Sequence, residues 1–310
     1  MATLILLQMV LPLGVLALLA AATLRSWAGR LIQTLAAFTT LLAVHLAGLW
    51  LMPPWWTAWV YWLLFAVALY RAGRKPPVTR LPESWWGWAA SLAFLALAAY
   101  TGWTAVQAWL GRQAPPGRIV ELRFPLSEGH YLVVNGGTNT SVSSHALTLA
   151  RATPRQRQYY GQSHAVDVVA IDGFGLPADG FNPEDPSRYA IFGHTVRAPC
   201  DGLVMQVAGD KPDMPVPVMD SRNMAGNHVL LRCESADILL AHLRRGSVNV
   251  ASGAEVRAGE ILGDVGNSGN TSVPHLHIHA QEPGTTQEPF SGRPLPMLFQ
   301  GRYLVRGDRL

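Results

Sequence analysis

The chain has 310 residues, 49% of them hydrophobic, and a formal net charge of +4 from 24 basic and 20 acidic side chains. That length allows two domains, and the composition divides the halves: all eleven tryptophans but only six basic residues precede residue 111, against one acid, Glu83. The positive excess belongs to N-terminal loops, and with no basic cluster on the second half a nucleic-acid surface is excluded.

Four uncharged segments come first: Ala2–Leu24, Leu31–Met52, Trp55–Tyr70 and Trp85–Leu110. About 20 apolar residues cross the hydrocarbon core, so they predict four transmembrane α-helices. The third is short and follows Pro53-Pro54. Trp50, Trp55, Trp56, Trp85, Trp86 and Trp109 stand near segment ends, where aromatic rings favour the interface. Arg25 and Arg30 follow the first segment; Arg71, Arg74, Lys75 and Arg80 follow the third. Four spans put these two loops on one side, which the positive-inside rule makes cytoplasmic. Everything after Leu110 is then extracytoplasmic, and the chain is expected to be a multi-pass membrane protein. Ala20-Ala21-Ala22 could mimic a signal-peptide cleavage site, but the basic leading region is missing and the apolar run is long, so an uncleaved span is expected. His45 falls inside the second span and reads as a helix-packed neutral imidazole.

The expected division is a membrane region over 1–111, a linker over 112–120 and a second domain over 121–310. In that domain short apolar runs alternate with Gly, Asn and Asp: Tyr131–Val134, Ala165–Ile171, Gly202–Val207, His228–Arg232 and Ile238–Leu243, with weaker signals at Val248–Val256 and Glu260–Val265. This pattern predicts a mainly β domain built on antiparallel sheet. Asp172–Arg188, rich in Gly, Pro and Asp, reads as an insertion loop. Cys200 and Cys233 flank the open end of a predicted hairpin; an oxidising compartment allows a bridge, and two buried thiols are the alternative.

The densest chemistry lies in Pro274-His275-Leu276-His277-Ile278-His279. In a strand the three imidazoles share one face, about 6.5 Å apart, while Leu276 and Ile278 enter the core. One imidazole can bind a metal ion while its neighbour reaches a group bound there, an arrangement that points to a zinc hydrolase.

Several separated motifs occur in a fixed order: Ala165-Val166-Asp167, Ala198-Pro-Cys-Asp-Gly202, Ala241-His242-Leu243 and the run from Gly259 to His277. Together they resemble the M23 (LytM/lysostaphin-type) zinc metallopeptidases, over about Glu121 to Arg306. The resemblance implies one Zn2+ held by two histidines and an aspartate with a fourth position open, as in catalytic zinc sites. It implies His277 and Asp167 as ligands, and His242 and His275 as the catalytic histidines flanking the metal-bound water. The usual histidine four residues before the aspartate is replaced by Ser163. His164 stands at an offset of three, on the opposite face of an extended strand. The spacing Gln162-x-x-Ala165-x-Asp167 resembles a branch of the family in which the third ligand lies well upstream. His145 fits that place and is favoured, with His164 as the alternative. His279 reads as support for a ligand, His228 as a hydrogen-bonded strand residue, and His130 and His194 as loop residues. The implied activity is hydrolysis of peptidoglycan peptides. The alternatives are an inactive regulator or peptidoglycan-binding relative, and a membrane sensor carrying this module.

Overall fold

A computed structural model describes residues 5–127, 129–284 and 289–310. It divides into two compact units, Met1–Leu110 and Gly111–Leu310.

In the first unit, helix α1 (Leu11–Ala21) continues a wider turn over Leu6–Val10 and is followed by α2 (Trp27–Ala47), α3 (Thr57–Gly73) and α4 (Trp85–Gly111). Ser26 caps α2, its Oγ accepting from Gly29 N–H at 3.1 Å. The four helices fall where the uncharged segments lie. Among the described residues α2 and α4 are the two helices long and apolar enough to cross a membrane, so two of the four expected spans have that length and α1 and α3 fall short of it. Small residues share the interior with a few large ones: Ala36, Ala37 and Thr40 of α2, Ala68 and Ala72 of α3, Ala105 and Ala108 of α4 are buried, as are Leu19, Leu41 and Tyr61. Other large ones point outward: Leu31, Leu63, Leu92 and Trp103 are each at least 60% exposed. So many exposed large apolar side chains are unusual for a water-soluble bundle, and small residues at helix contacts are what lipid favours. The two basic loops meet at one end of the unit. Val78 N–H donates to Arg25 O at 2.9 Å and Trp27 N–H to Thr79 O at 3.0 Å, while the Arg30 guanidinium reaches Ala72 O at 2.9 Å.

The second unit is built on strands β1 (Val120–Leu122), β2 (His130–Asn135), β3 (Val166–Ile171), β4 (Thr195–Arg197), β5 (Gly202–Ala208), β6 (Asn227–Cys233), β7 (Ala236–Leu243), β8 (Glu255–Val256), β9 (Ile261–Asp264), β10 (Leu276–Gln281), β11 (Pro294–Leu295), β12 (Met297–Phe299) and β13 (Arg302–Tyr303). The main sheet runs β2-β3-β10-β7-β6-β5-β8 with every pair antiparallel, and β11 adds to β10. The predicted runs from Tyr131 to Leu243 lie within or overlap β2, β3, β5, β6 and β7. Of Val248–Val256, only Glu255–Val256 is strand, and His130 opens β2 instead of lying in a loop. Alternation sorts the two faces. Val166, Val168, Leu276, Ile278, Ala280, Ile238 and Leu240 enter the principal core, and Asp167, His277, His279, Leu239 and Ala241 face the other way.

Cys200 and Cys233 form a disulfide, with Cα atoms 6.0 Å apart, across 33 residues. Closing a loop of that size constrains the unfolded chain, so reduction is expected to cost about 3.7 kcal/mol. Denaturant unfolding with and without reductant, and of the double Cys→Ser variant, measures it.

Candidate metal and catalytic site

Register builds the site. Asn135 of β2 pairs with Asp167 of β3, Asp167 with His277 of β10, and His277 with Ala241 of β7, so one row of residues crosses four adjacent strands. Asp167 is 4% and His277 2% exposed. His277 Nδ1 lies 2.9 Å from Asp167 Oδ1, and His145 Nε2 lies 2.8 Å from Asp167 Oδ2. His145 arrives on the turn Ser144–Ala150, tethered where Ser144 N–H donates to Asn135 Oδ1 at 3.1 Å. His164 ends the neighbouring turn Tyr160–His164, and β3 starts only at Val166. Its Nδ1 is buried without a hydrogen-bond partner, and it joins neither group of converging ligand atoms among the described residues.

Those groups are His145, Asp167 and His277, and His242, His275 and His277; in each the ligand atoms lie within 4.8 Å of one another. The first contains the buried carboxylate. Burial by itself raises the pKa of Asp167. The His145 and His275 imidazoles, with hydrogen bonds from His145 and His277, outweigh it and hold the carboxyl well below its usual range. The ionised form is thus the buried one, and a buried anion calls for cationic or hydrogen-bonding partners.

His242 comes into place through a bulge. β7 pairs with β6 at Leu243 and Ala241 and skips His242, whose φ is +64°. A non-glycine residue in that region is uncommon, and bulges recur where a side chain is re-aimed beside a site. Its Nδ1–H donates to Ser268 O at 2.9 Å, and His275 Nδ1–H donates to Val273 O at 2.8 Å. In each neutral ring that bond leaves Nε2 as the acceptor, and both rings line the same groove of about 510 Å3. The rings stand 4.8 Å apart, and His275 Nε2 is 3.6 Å from Asp167 Oδ1. Burial first, then His275 and His277, pushes the His242 pKa well below its ordinary 6.5. Ser268 is fixed by tight backbone packing: a Cβ on Gly226 (φ +58°) would come within 2.3 Å of Ser268 O.

Sequence reasoning missed the groups behind these. Asn135 Nδ2 donates to Asp167 Oδ2 at 2.9 Å, and Arg306 Nη2 donates to Asn135 Oδ1 at 2.8 Å. Arg306 also donates to Val134 O at 2.8 Å; burial brings its pKa down to about 10. The available signals were the turn Asn135-Gly136-Gly137 and the basic residue closing Tyr303-Leu-Val-Arg306. His279 stands where it was expected. Its Nδ1 meets His277 Nε2 at 3.0 Å, and its ring stacks on Phe290 at 5.3 Å.

Residues 188–289 match the profile described as peptidase family M23. The match contains His242, His275 and His277 and stops short of His145 and Asp167. Among solved structures, the chain is similar to lysostaphin from Staphylococcus simulans, with 19% identity over 46% of this chain and 43% of that one, at a TM-score of 0.28. It is also similar to a zinc-containing peptidase from Vibrio cholerae, with 17% identity over 53% and 36%, at 0.30. A third is the SpoIIIAH and SpoIIQ complex, with 15% identity over 56% and 95%, at 0.32. The chain thus spans less than half the length of the first two.

Proposed function

We propose that this chain, by its residues 188–289 a member of peptidase family M23, is a zinc-dependent endopeptidase that hydrolyses amide bonds of peptidoglycan peptides. The observation that carries this is the convergence of His145, Asp167 and His277 on one point, beside two histidines whose Nδ1 atoms are tied to backbone carbonyls. The donor set suits zinc: two neutral imidazoles and one carboxylate, the nitrogen and oxygen ligands of catalytic sites. His277 would bind through Nδ1, with Nε2–H held by His279. His145 would bind through Nε2, and Asn135, backed by Arg306, would orient the carboxylate. Bound zinc supplies a Lewis acid that polarises the scissile carbonyl and makes water nucleophilic near neutral pH.

His242 and His275 do the proton work. Each offers a neutral Nε2 over the groove, able to take a proton from attacking water and return one to the leaving amine. The ring holding the proton also donates to the oxyanion that develops. Because the His242 pKa is lowered, its neutral form persists below pH 6.5. The acid limb of kcat/KM is therefore expected on the acidic side of that value, which a pH–rate profile reads directly.

The helical unit is proposed to anchor the enzyme with four spans and hold the β unit on the extracytoplasmic side. The joined basic loops, both ends of two α-helical hairpins, support that orientation. Incubation with purified peptidoglycan, followed by mass analysis of the fragments, tests the activity; no new amine termini would overturn it.

The third ligand has its own test. His145→Ala is expected to lose zinc and His164→Ala to keep it, measured by metal content of the purified variants. The reverse result would transfer the role to His164.

A further inference from the structure

Two arginines close the second unit on itself. Arg306, on the turn 305–308, sends its guanidinium inward to Val134 O at 2.8 Å, Ser141 O at 3.2 Å and Asn135 Oδ1 at 2.8 Å. Arg112, the second residue of the unit, holds that turn from the other side. Its guanidinium donates to Arg306 O at 2.8 Å, 194 residues along the chain, and to Asp308 Oδ1 at 3.0 Å. Asp308 Oδ2 meanwhile accepts from Val305 N–H at 3.0 Å, so the carboxylate closes the turn and Arg112 grips it closed. The two side chains are 26% and 20% exposed, which shields a charge-assisted pair from most of the solvent.

The gripped turn leads to the metal site by one short route. Asn135 Oδ1 accepts from Arg306 and also from Ser144 N–H, the residue before His145, while Asn135 Nδ2 donates to Asp167 Oδ2. One amide thus sets both the carboxylate and the turn that brings in His145. Gly111, next to Arg112, seats on the loop 136–143 that joins these two elements. Thr138 N–H donates to Gly111 O at 2.9 Å, and a Cβ on Gly111 would come 2.6 Å from Asn139 Oδ1. The Arg306 cation is directed away from water toward carbonyl acceptors, a costly arrangement that holds only while the backbone carrying it is fixed.

We propose that Arg112 is a positioning residue for the metal site, fixing the turn that carries Arg306 and through it Asn135, Asp167 and the approach of His145. The proposal rests on the reading that His145, Asp167 and His277 hold zinc. Without Arg112 the turn keeps its main-chain bonds to β2 but loses the pair that sets its tilt. Arg306 then relaxes toward solvent and Asn135 loses a donor. A pair that only fastened two chain segments would affect unfolding and leave metal affinity alone.

The test measures zinc affinity of the full chain by competition with a chromogenic chelator, beside thermal unfolding. Arg112→Ala is expected to weaken zinc binding about tenfold, as loss of an outer support of a metal ligand does, and Arg112→Lys, which keeps the charge without the fork, by less. Asn135→Ala should weaken it at least as much. Adding Arg112→Ala to Asn135→Ala should then cost less than about twofold more, because the route is already cut. As a control, Arg232→Ala removes a two-pronged pair with Asp237, at 2.6 and 2.9 Å, between β6 and β7. It should lower the unfolding temperature and leave zinc affinity as it is. Unchanged affinity in Arg112→Ala, an equal loss in Arg232→Ala, or full additivity with Asn135→Ala overturns the positioning role and leaves the zinc reading standing. Hydrogen exchange of the metal-free chain covers the opposite case. Faster exchange over 136–145 is expected in Arg112→Ala and not in Arg232→Ala. If the parent takes up no zinc, the zinc reading falls; that exchange difference then retains the grip of Arg112 on the loop, and its absence rejects it.

Discussion

His277→Ala is expected to abolish both zinc retention and hydrolysis, with kcat/KM falling on the order of 10^3-fold or more, a barrier increase of about 4 kcal/mol. Three roles are lost at once. Nδ1 leaves the point where His145 and Asp167 converge, the buried Asp167 loses a hydrogen-bond donor at 2.9 Å, and His279 loses its partner. His277 is also the one histidine common to both groups of converging ligand atoms, so neither group survives its removal. Metal analysis and peptidoglycan digestion of the variant decide the matter, with circular dichroism to show that the β unit still folds. A variant that keeps stoichiometric zinc and full activity would remove the metal mechanism.

His275→Ala is expected to separate chemistry from metal binding. Its Nδ1 is held by Val273 O and its Nε2 is aimed into the groove, so the ring is placed for proton transfer. Truncation should lower kcat by about 10^2- to 10^4-fold, the range for loss of a positioned acid or base. Zinc content should stay near one ion per chain, because His145, Asp167 and His277 are untouched. His242→Ala should behave alike. Loss of zinc from both variants would instead assign the ion to His242, His275 and His277. The two variants thus choose between the two groups as well as measuring catalysis.

Much of this arrangement is legible from the residues alone. The alternation His275-Leu276-His277-Ile278-His279 fixes which side chains share a face, and both Leu276 and Ile278 are fully buried in the core. The uncharged N-terminal runs locate the helices because length and apolarity are local properties. Placing His145 is different, since its approach to Asp167 depends on a turn that joins two distant segments. Family spacing suggested that residue, and only three-dimensional geometry brings it to 2.8 Å. The bulge at His242 is invisible for a similar reason: it is a mismatch in count between β6 and β7, and neither strand records it by itself. Arg306 acts through Asn135 from the far end of the chain, with no periodicity to announce it. The span count shows the opposite limit. Charge-free length is easily read, yet α3, at 17 residues, lies at the short end of what can cross a bilayer.

The row Asn135–Asp167–His277–Ala241 exists only while β2, β3, β10 and β7 keep their relative phase. Because side chains alternate with a period of two, inserting one residue between Leu276 and His277 would turn both the His277 and His279 imidazoles toward the apolar core of the β unit. The same insertion in the Asp172–Arg188 loop would leave every donor where it is. Tolerance to length change in this molecule is therefore sharply divided. An exposed loop absorbs an extra residue locally, while a handful of strand positions must hold parity for these side chains to converge at all.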